Sequence, residues 1–232
     1  MNLLDPRLKE AVSMCPQCDC AADIACDHGK LGAVLLLENR VSHMIDTDIS
    51  EQSLKKAMSL SEKLSLSEKT EFRIGDGLKV LKNNEVQTIF LMGIGGTLMR
   101  EILSDSILPL AGAQLAILQP MTSQEDIRLW LFQRGYHIQC DKMVREGIRF
   151  YQVFSVLPPD GYLETRPDWW PDNCWSVGYR AAQKNDPVLK EYLEDRIHKM
   201  DTMIQNGAPL EAEKNNLEII LRKMGVEGDA AE

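Results

Sequence analysis

The chain has 232 residues, a net charge of −9, 44% hydrophobic residues and 26% charged residues, a balance that fits a soluble globular protein with one full core and room for a small second domain. No apolar run approaches the roughly 18 residues of a membrane span. The N-terminal stretch MNLLDPRLKEAV lacks the apolar centre of a signal peptide, so the expected compartment is cytoplasmic, with no membrane partner.

The negative balance excludes a uniformly basic coat. A local patch is still enough for phosphate contacts, and the candidates are Arg7 with Lys9, Lys55 with Lys56, Arg128 with Arg134, and Arg145 with Arg149. The six cysteines, at 15, 18, 20, 26, 140 and 174, read as reduced thiols. Cys15-Pro16-Gln17-Cys18 is a CxxC, but no second pair follows at finger spacing, so no metal is expected.

In chain order, Asp5 caps a short helix that has Pro6 at its first position. A buried strand ends in Ala22-Asp23-Ile24-Ala25, Asp27-His28-Gly29 turns, and a helix spans about 30–39. His43 to Asp48 is a second strand, and Ser50 caps the helix carrying Leu54, Ala57, Met58 and Leu64. Thr70 to Ile74 alternates as a third strand ending at Gly75-Asp76-Gly77. Thr88 to Met92 is a fourth, ending at Gly93-Ile94-Gly95-Gly96. A helix with Leu98, Ile102 and Leu103 follows, then a fifth strand from Gln114 to Leu118. Ser123 caps a helix through Trp130 that Gly135 stops, and 136–144 and 148–156 form a hairpin around Glu146-Gly147. This alternation predicts an α/β fold, a doubly wound and mostly parallel Rossmann-like sheet with an antiparallel edge, over residues 1–157. Residues 158–232 read as a separate helical domain. After a connector rich in proline and aromatics, two amphipathic helices, the first ending at Asn206-Gly207 and the second starting at Pro209, make an antiparallel hairpin.

Four strand ends carry unusual residues, and a parallel sheet places them along one edge. Asp48 stands where a carboxylate accepts the hydroxyls of an adenosine ribose; its structural alternative is a helix cap. Asp76, between Gly75 and Gly77, suits the exocyclic amine of an adenine, or is an ordinary Asp-Gly turn. Asp23 and Asp27 beside Gly29 would repel a pyrophosphate, and neither a GxGxxG fingerprint nor a P-loop is present at 23–34. An NAD-linked reaction is therefore disfavoured. Acids at this turn suit a cationic adenosyl ligand, S-adenosylmethionine. His28 is a ligand contact, a base, or a group packed on the helix start. Gly93, Gly95 and Gly96 lie where a methyl would be delivered, or serve close helix–sheet packing. No acceptor side chain stands among them, which fits attack by a ring nitrogen with an in-plane lone pair.

These residues resemble the bacterial tRNA adenine-22 N1-methyltransferases. The likeness runs through Arg7-Leu8, Asp23-Ile24-Ala25-Cys26-Asp27-His28, Thr47-Asp48-Ile49, Arg73 to Leu78, Gly93 to Gly96, Met99 to Leu103, Leu118-Gln119-Pro120, Arg128 to Leu131 and Gly135-Tyr136. The chain departs from the family pattern at Ala25, where the family has glycine, at Lys30 in place of an aromatic, at Gly32 in place of proline, and at Glu51-Gln52-Ser53, which lacks a Gly-Pro. The resemblance implies a class I methyltransferase-like fold and tRNA as partner. It implies Asp23, His28, Asp48, Asp76, Gly77, Gly93, Gly95 and Gly96 as S-adenosylmethionine contacts. It places Arg7 and Asp27 beside the target base, as the catalytic candidates, and lets the helical hairpin grip tRNA. Trp169, Trp170 and Trp175 are candidate stacking platforms, with core packing the favoured role. Another substrate for the same fold, or a non-catalytic RNA- or nucleotide-binding module, remains open on the residues alone. The sequence assigns no oligomeric state.

Overall fold

The computed structural model describes residues 4–105, 112–160 and 165–227. Its seven strands are β1 (Cys18–Ile24), β2 (Val41–Asp48), β3 (Thr70–Ile74), β4 (Thr88–Ile94), β5 (Leu115–Pro120), β6 (His137–Glu146) and β7 (Arg149–Leu157). They form one sheet in the order β3-β2-β1-β4-β5-β7-β6. β1 to β5 pair in parallel, whereas β7 runs antiparallel to both β5 and β6. The helices are α1 (Pro6–Met14), α2 (Lys30–Leu37), α3 (Glu51–Lys63), α4 (Gly96–Asp105), α5 (Gln124–Gln133), α6 (Tyr179–Gln183), α7 (Pro187–Gln205) and α8 (Glu211–Glu227).

The central strands are apolar on both faces because both faces are covered. Ala22, Ile24, Ile89, Leu91 and Leu118 pack with Met99 and Leu103 of α4 and with Ile127 and Leu131 of α5. Their alternating neighbours Ala21, Met44, Phe90 and Ile117 pack with Val12 of α1 and with Leu31 and Leu35 of α2. The strand period of two thus divides one chain between two cores. Asp5 accepts from Leu8 N and caps α1, and Ser50 accepts from Ser53 N and caps α3, as their sequence positions predict.

The helical part has its own core of Leu189, Leu193 and Met200 from α7 with Leu217, Ile220 and Met224 from α8, and it shares Met143 of β6. Buried Asp186 joins it to the sheet. Its side chain caps α7 through Val188 N and Leu189 N and also accepts from Met143 N. Trp170 is buried in this core, and Trp169 packs at its border.

Several expectations need correction. Ser123 stands before α5, but its φ is +53° and its hydroxyl makes no capping bond. Its carbonyl instead crowds Gly96, where a Cβ would lie 2.3 Å from Ser123 O. The short helix α6 goes unannounced in the sequence, and α8 begins at Glu211, not Pro209. Part of the predicted proline-rich connector lies outside the described residues. Arg128 is no surface cation. It is 2% exposed, forks onto both carboxylate oxygens of Asp141 at 2.9 and 2.8 Å, and also donates to Gln152. Both bonds to Asp141 come from Nη2, and this buried, charge-assisted pairing ties α5 to the β6–β7 hairpin.

Candidate active site

The site grows from the turn after β1. Beyond Ile24 the chain takes three left-handed residues, Ala25 (φ 60°), Asp27 (φ 51°) and Gly29 (φ 64°), before α2 starts. Cys26 N donates to Thr47 O and Gly29 N to Cys26 O, so the turn is fastened to β2 as well as to itself. Asp48, at the end of β2, completes the fastening. One of its oxygens accepts from Asp27 N at 3.1 Å and the other from Ser50 N at 2.8 Å. Asp48 is therefore the support on which two neighbouring turns hang, and each oxygen retains further acceptor capacity.

A cleft of about 500 Å³ opens at this edge of the sheet, lined by Asp23, Ala25, Asp27, His28 and Lys30 from the turn, Arg7 and Leu8 from α1, and Met92, Gly93 and Ile94 from β4. Asp27 is the most exposed acid in it, at 68%, and its Oδ2 lies 2.5 Å from His28 Nδ1. Asp23 is 4% exposed. Burial holds its carboxyl well above the usual range, and the charges of Asp46, Asp48 and Asp27 push it further the same way. The far wall is organised by Gln119, fully buried at the end of β5, whose Oε1 accepts from Gly93 N and from Arg7 Nη1, both at 3.1 Å. The Arg7 guanidinium also reaches Asp5 and lies 5.2 Å from the Tyr151 ring centre.

The cleft thus brings together Asp23, Asp27, His28, Gly93 and Arg7. It does not include Asp76 or Gly77. Asp76 is exposed, bonds Lys79 Nζ at 2.6 Å, and lines a separate hollow beside α4. A Cβ on Gly77 would meet Ile102 Cγ2 at 2.8 Å, so that glycine makes room for a helix side chain. Gly95 and Gly96 sit against the loop at Thr122 and Ser123, not in the cleft wall.

Two residues gain a place here that sequence reasoning did not give them. Gln119 is one; its signals were an amide at a strand end and its place in the Leu118-Gln119-Pro120 stretch. The other is Asp46, 2% exposed beneath the start of α2, with Oδ1 lacking a hydrogen-bond partner among the described residues. Burial raises its carboxyl to about 7. An acid two residues before Asp48, on the same face of a buried strand, was its signature.

Residues 4–154 match the family described as a methyltransferase domain. The chain belongs to that family. The domain's sheet also recurs in solved structures. A Streptococcus pneumoniae protein, Sp1610, superposes with a TM-score of 0.81 at 22% identity, over 96% of this chain and 98% of that one. TrmK of M. capricolum, bound to S-adenosylhomocysteine, gives 0.77 at 20% identity over 99% and 100%. The Bacillus subtilis m1A22 tRNA methyltransferase TrmK gives 0.74 at 24% identity over 99% of both chains. These likenesses establish the fold, including the helical part after the methyltransferase domain. Among curated proteins, the tRNA (adenine(22)-N(1))-methyltransferase of Bacillus subtilis is 28% identical over 217 residues, covering 91% of this chain and 89% of the relative.

Proposed function

We propose that this chain is an S-adenosylmethionine-dependent tRNA methyltransferase acting on N1 of adenine 22. The observation that carries the reading is the acid-lined cleft beside a turn with no phosphate-binding glycines. The name of the B. subtilis relative supports the nucleotide and the position. The sheet order supports one extended ligand along the edge. Going outward from Gly93 on β4, it meets Asp23 near the end of β1 and Asp27 in the turn beyond it, Asp48 at the end of β2 and Asp76 after β3. In this reading Asp23 and His28 face the amino-acid end, Asp48 takes the ribose hydroxyls, and Asp76, in the separate hollow beside α4, takes the adenine. Gly93 keeps the methyl end of the site clear, while Gly95 and Gly96 let the Thr122–Ser123 loop pack close to the start of α4.

When bound, the cofactor supplies an electrophilic methyl on a sulfonium. The chain's own residues then have two tasks. Arg7, held by Gln119, Asp5 and Tyr151, orients the target base. Asp27 faces the ring that gains positive charge as its nitrogen is methylated, and its carboxylate stabilises that charge. No general base is needed, because N1 of neutral adenine already carries its lone pair. We assign tRNA gripping to residues 158–232, as a domain distinct from 1–157. The deciding experiment incubates saturating cofactor with unmodified tRNA and analyses the nucleosides. One equivalent of 1-methyladenosine, lost when adenine 22 is replaced, is expected. Absence of methyl transfer sinks the enzyme reading, and methylation at another nucleotide sinks the position.

A further inference from the structure

The cleft leaves the CxxC at the opposite end of β1 unused. Cys15 is the C-terminal cap residue of α1 and is 1% exposed, while Cys18 is the first residue of β1 and is half-buried. Both are free thiols. Cys18 Sγ lies 3.7 Å from the Thr88 hydroxyl and 3.8 Å from the Cys20 carbonyl, and Cys15 Sγ donates to the Pro16 carbonyl at 3.3 Å. The two cysteines bracket the Pro16-Gln17 turn, and Cys15 lines a cavity of about 470 Å³ whose wall also carries Arg40.

We propose that Cys15 and Cys18 form a redox-active dithiol that takes a low-molecular-weight disulfide as its oxidant, with Cys18 attacking and Cys15 resolving. The direction of attack follows from the fold. Cys15 stands at the negative end of the α1 dipole, where a thiolate is disfavoured. Cys18 is the more accessible sulfur, and the Thr88 hydroxyl beside it can donate to its thiolate. Consistently, the Cys15 thiol and Thr88 hydroxyl draw Cys18 down to about 7 against its own burial, whereas Cys15 is raised. Burial pushes nearby Cys20 up to about 11.

The chemistry balances without another reactant. The Cys18 thiolate attacks one sulfur of RS–SR, the Cys18–SR bond forms, and RS⁻ leaves and is protonated by solvent. Cys15 attacks the Cys18 sulfur, the Cys15–Cys18 bond forms, and the second RS⁻ leaves and takes the Cys15 proton. Two protein thiols are oxidised, and one small disulfide is reduced to two thiols. The new bond shortens the link between β1, which carries Asp23, and α1, which carries Arg7.

Glutathione disulfide is the probe, and intact mass with peptide mapping is the readout. The wild type should lose two hydrogens, mapped to a Cys15–Cys18 disulfide. Cys15→Ser should accumulate a stable glutathione adduct on Cys18, and Cys18→Ser should take none on Cys15. At pH 7, iodoacetamide should label Cys18 roughly a hundredfold faster than Cys20, after the lower intrinsic nucleophilicity of the more acidic thiol is allowed for. First modification of any other cysteine, or a Cys18 adduct in the wild type that Cys15 never resolves, overturns the proposal. None of these readouts requires methyl transfer.

Discussion

Ala25 holds a backbone conformation that its own side chain resists. At φ 60° a Cβ meets the neighbouring carbonyl, at a cost of about 1 kcal/mol or somewhat more, which glycine does not incur. The sequence shows alanine where the resembled family has glycine, and the fold keeps the left-handed turn regardless, because Cys26 N, Asp27 N and Gly29 N are all anchored. Ala25→Gly should therefore raise the thermal midpoint by roughly 2–4 °C, despite the extra freedom glycine adds to the unfolded chain. A lower midpoint would show that the methyl packs usefully in the cleft wall. Asp46 gives a second residue-scale prediction, with a pH sign. Its folded-state carboxyl is raised to about 7, above the roughly 3.9 of an unfolded chain. Its contribution is fully present below the unfolded value and is lost as pH rises through 7. Asp46→Asn should come nearest the wild type in thermal melts at about pH 4 and exceed it by several degrees at pH 8, with the gap opening between the two. Equal losses between the two pH values would mean that Asp46 ionises at no cost.

At the scale of elements, most of the sheet was legible because the parallel strands β1, β2 and β4 are apolar runs closed by a glycine or an acid, β3 alternates up to Gly75, β5 is an apolar run closed by Gln119-Pro120, and the longer helices have a periodic face. β4 runs to Ile94, two residues past its apolar core, because a bulge between Met92 and Ile94 keeps Gly93 in the strand before α4 begins. The turn after β1 was legible as a site but not as three left-handed residues, since only Gly29 advertises that conformation in its side chain. Asp27 and Ala25 take it because the hydrogen bonds around them require it. The helix α6 escaped notice for a different reason. Five residues carry too little periodicity to register, and the helix exists because Tyr179, Ala181 and Ala182 fill the space between α7, α8 and β6. In the site, the acids were readable as single residues. The ties among them were not, because Asp46, Asp48 and Gln119 act on partners set by sheet order, not by sequence neighbours. Arg128 shows the same limit. An arginine near another arginine looks like a surface patch until the antiparallel β6 brings Asp141 against it.

For the whole molecule, a net charge of −9 and an RNA substrate are compatible only if cations are concentrated where the acids of the cleft do not neutralise them. The fold removes several candidates. Arg128 is buried on Asp141, Lys55 pairs with Glu51, and Arg145 pairs with Glu191. Arg7 is committed to Asp5 and Gln119 at the cleft wall. Lys30, the first residue of α2, is exposed at the cleft and stands where the resembled family carries an aromatic. A phosphate contact there would release counterions, and its loss should show in the salt dependence of binding and not in the fold. Lys30→Ala should reduce the slope of log affinity for tRNA against log salt by about one unit, with the thermal midpoint unchanged. An unchanged slope with unchanged affinity would move the RNA path away from α2 and toward the helical domain. There Arg196 of α7, paired with Glu213 of α8, lines the neighbouring cleft beside Met121.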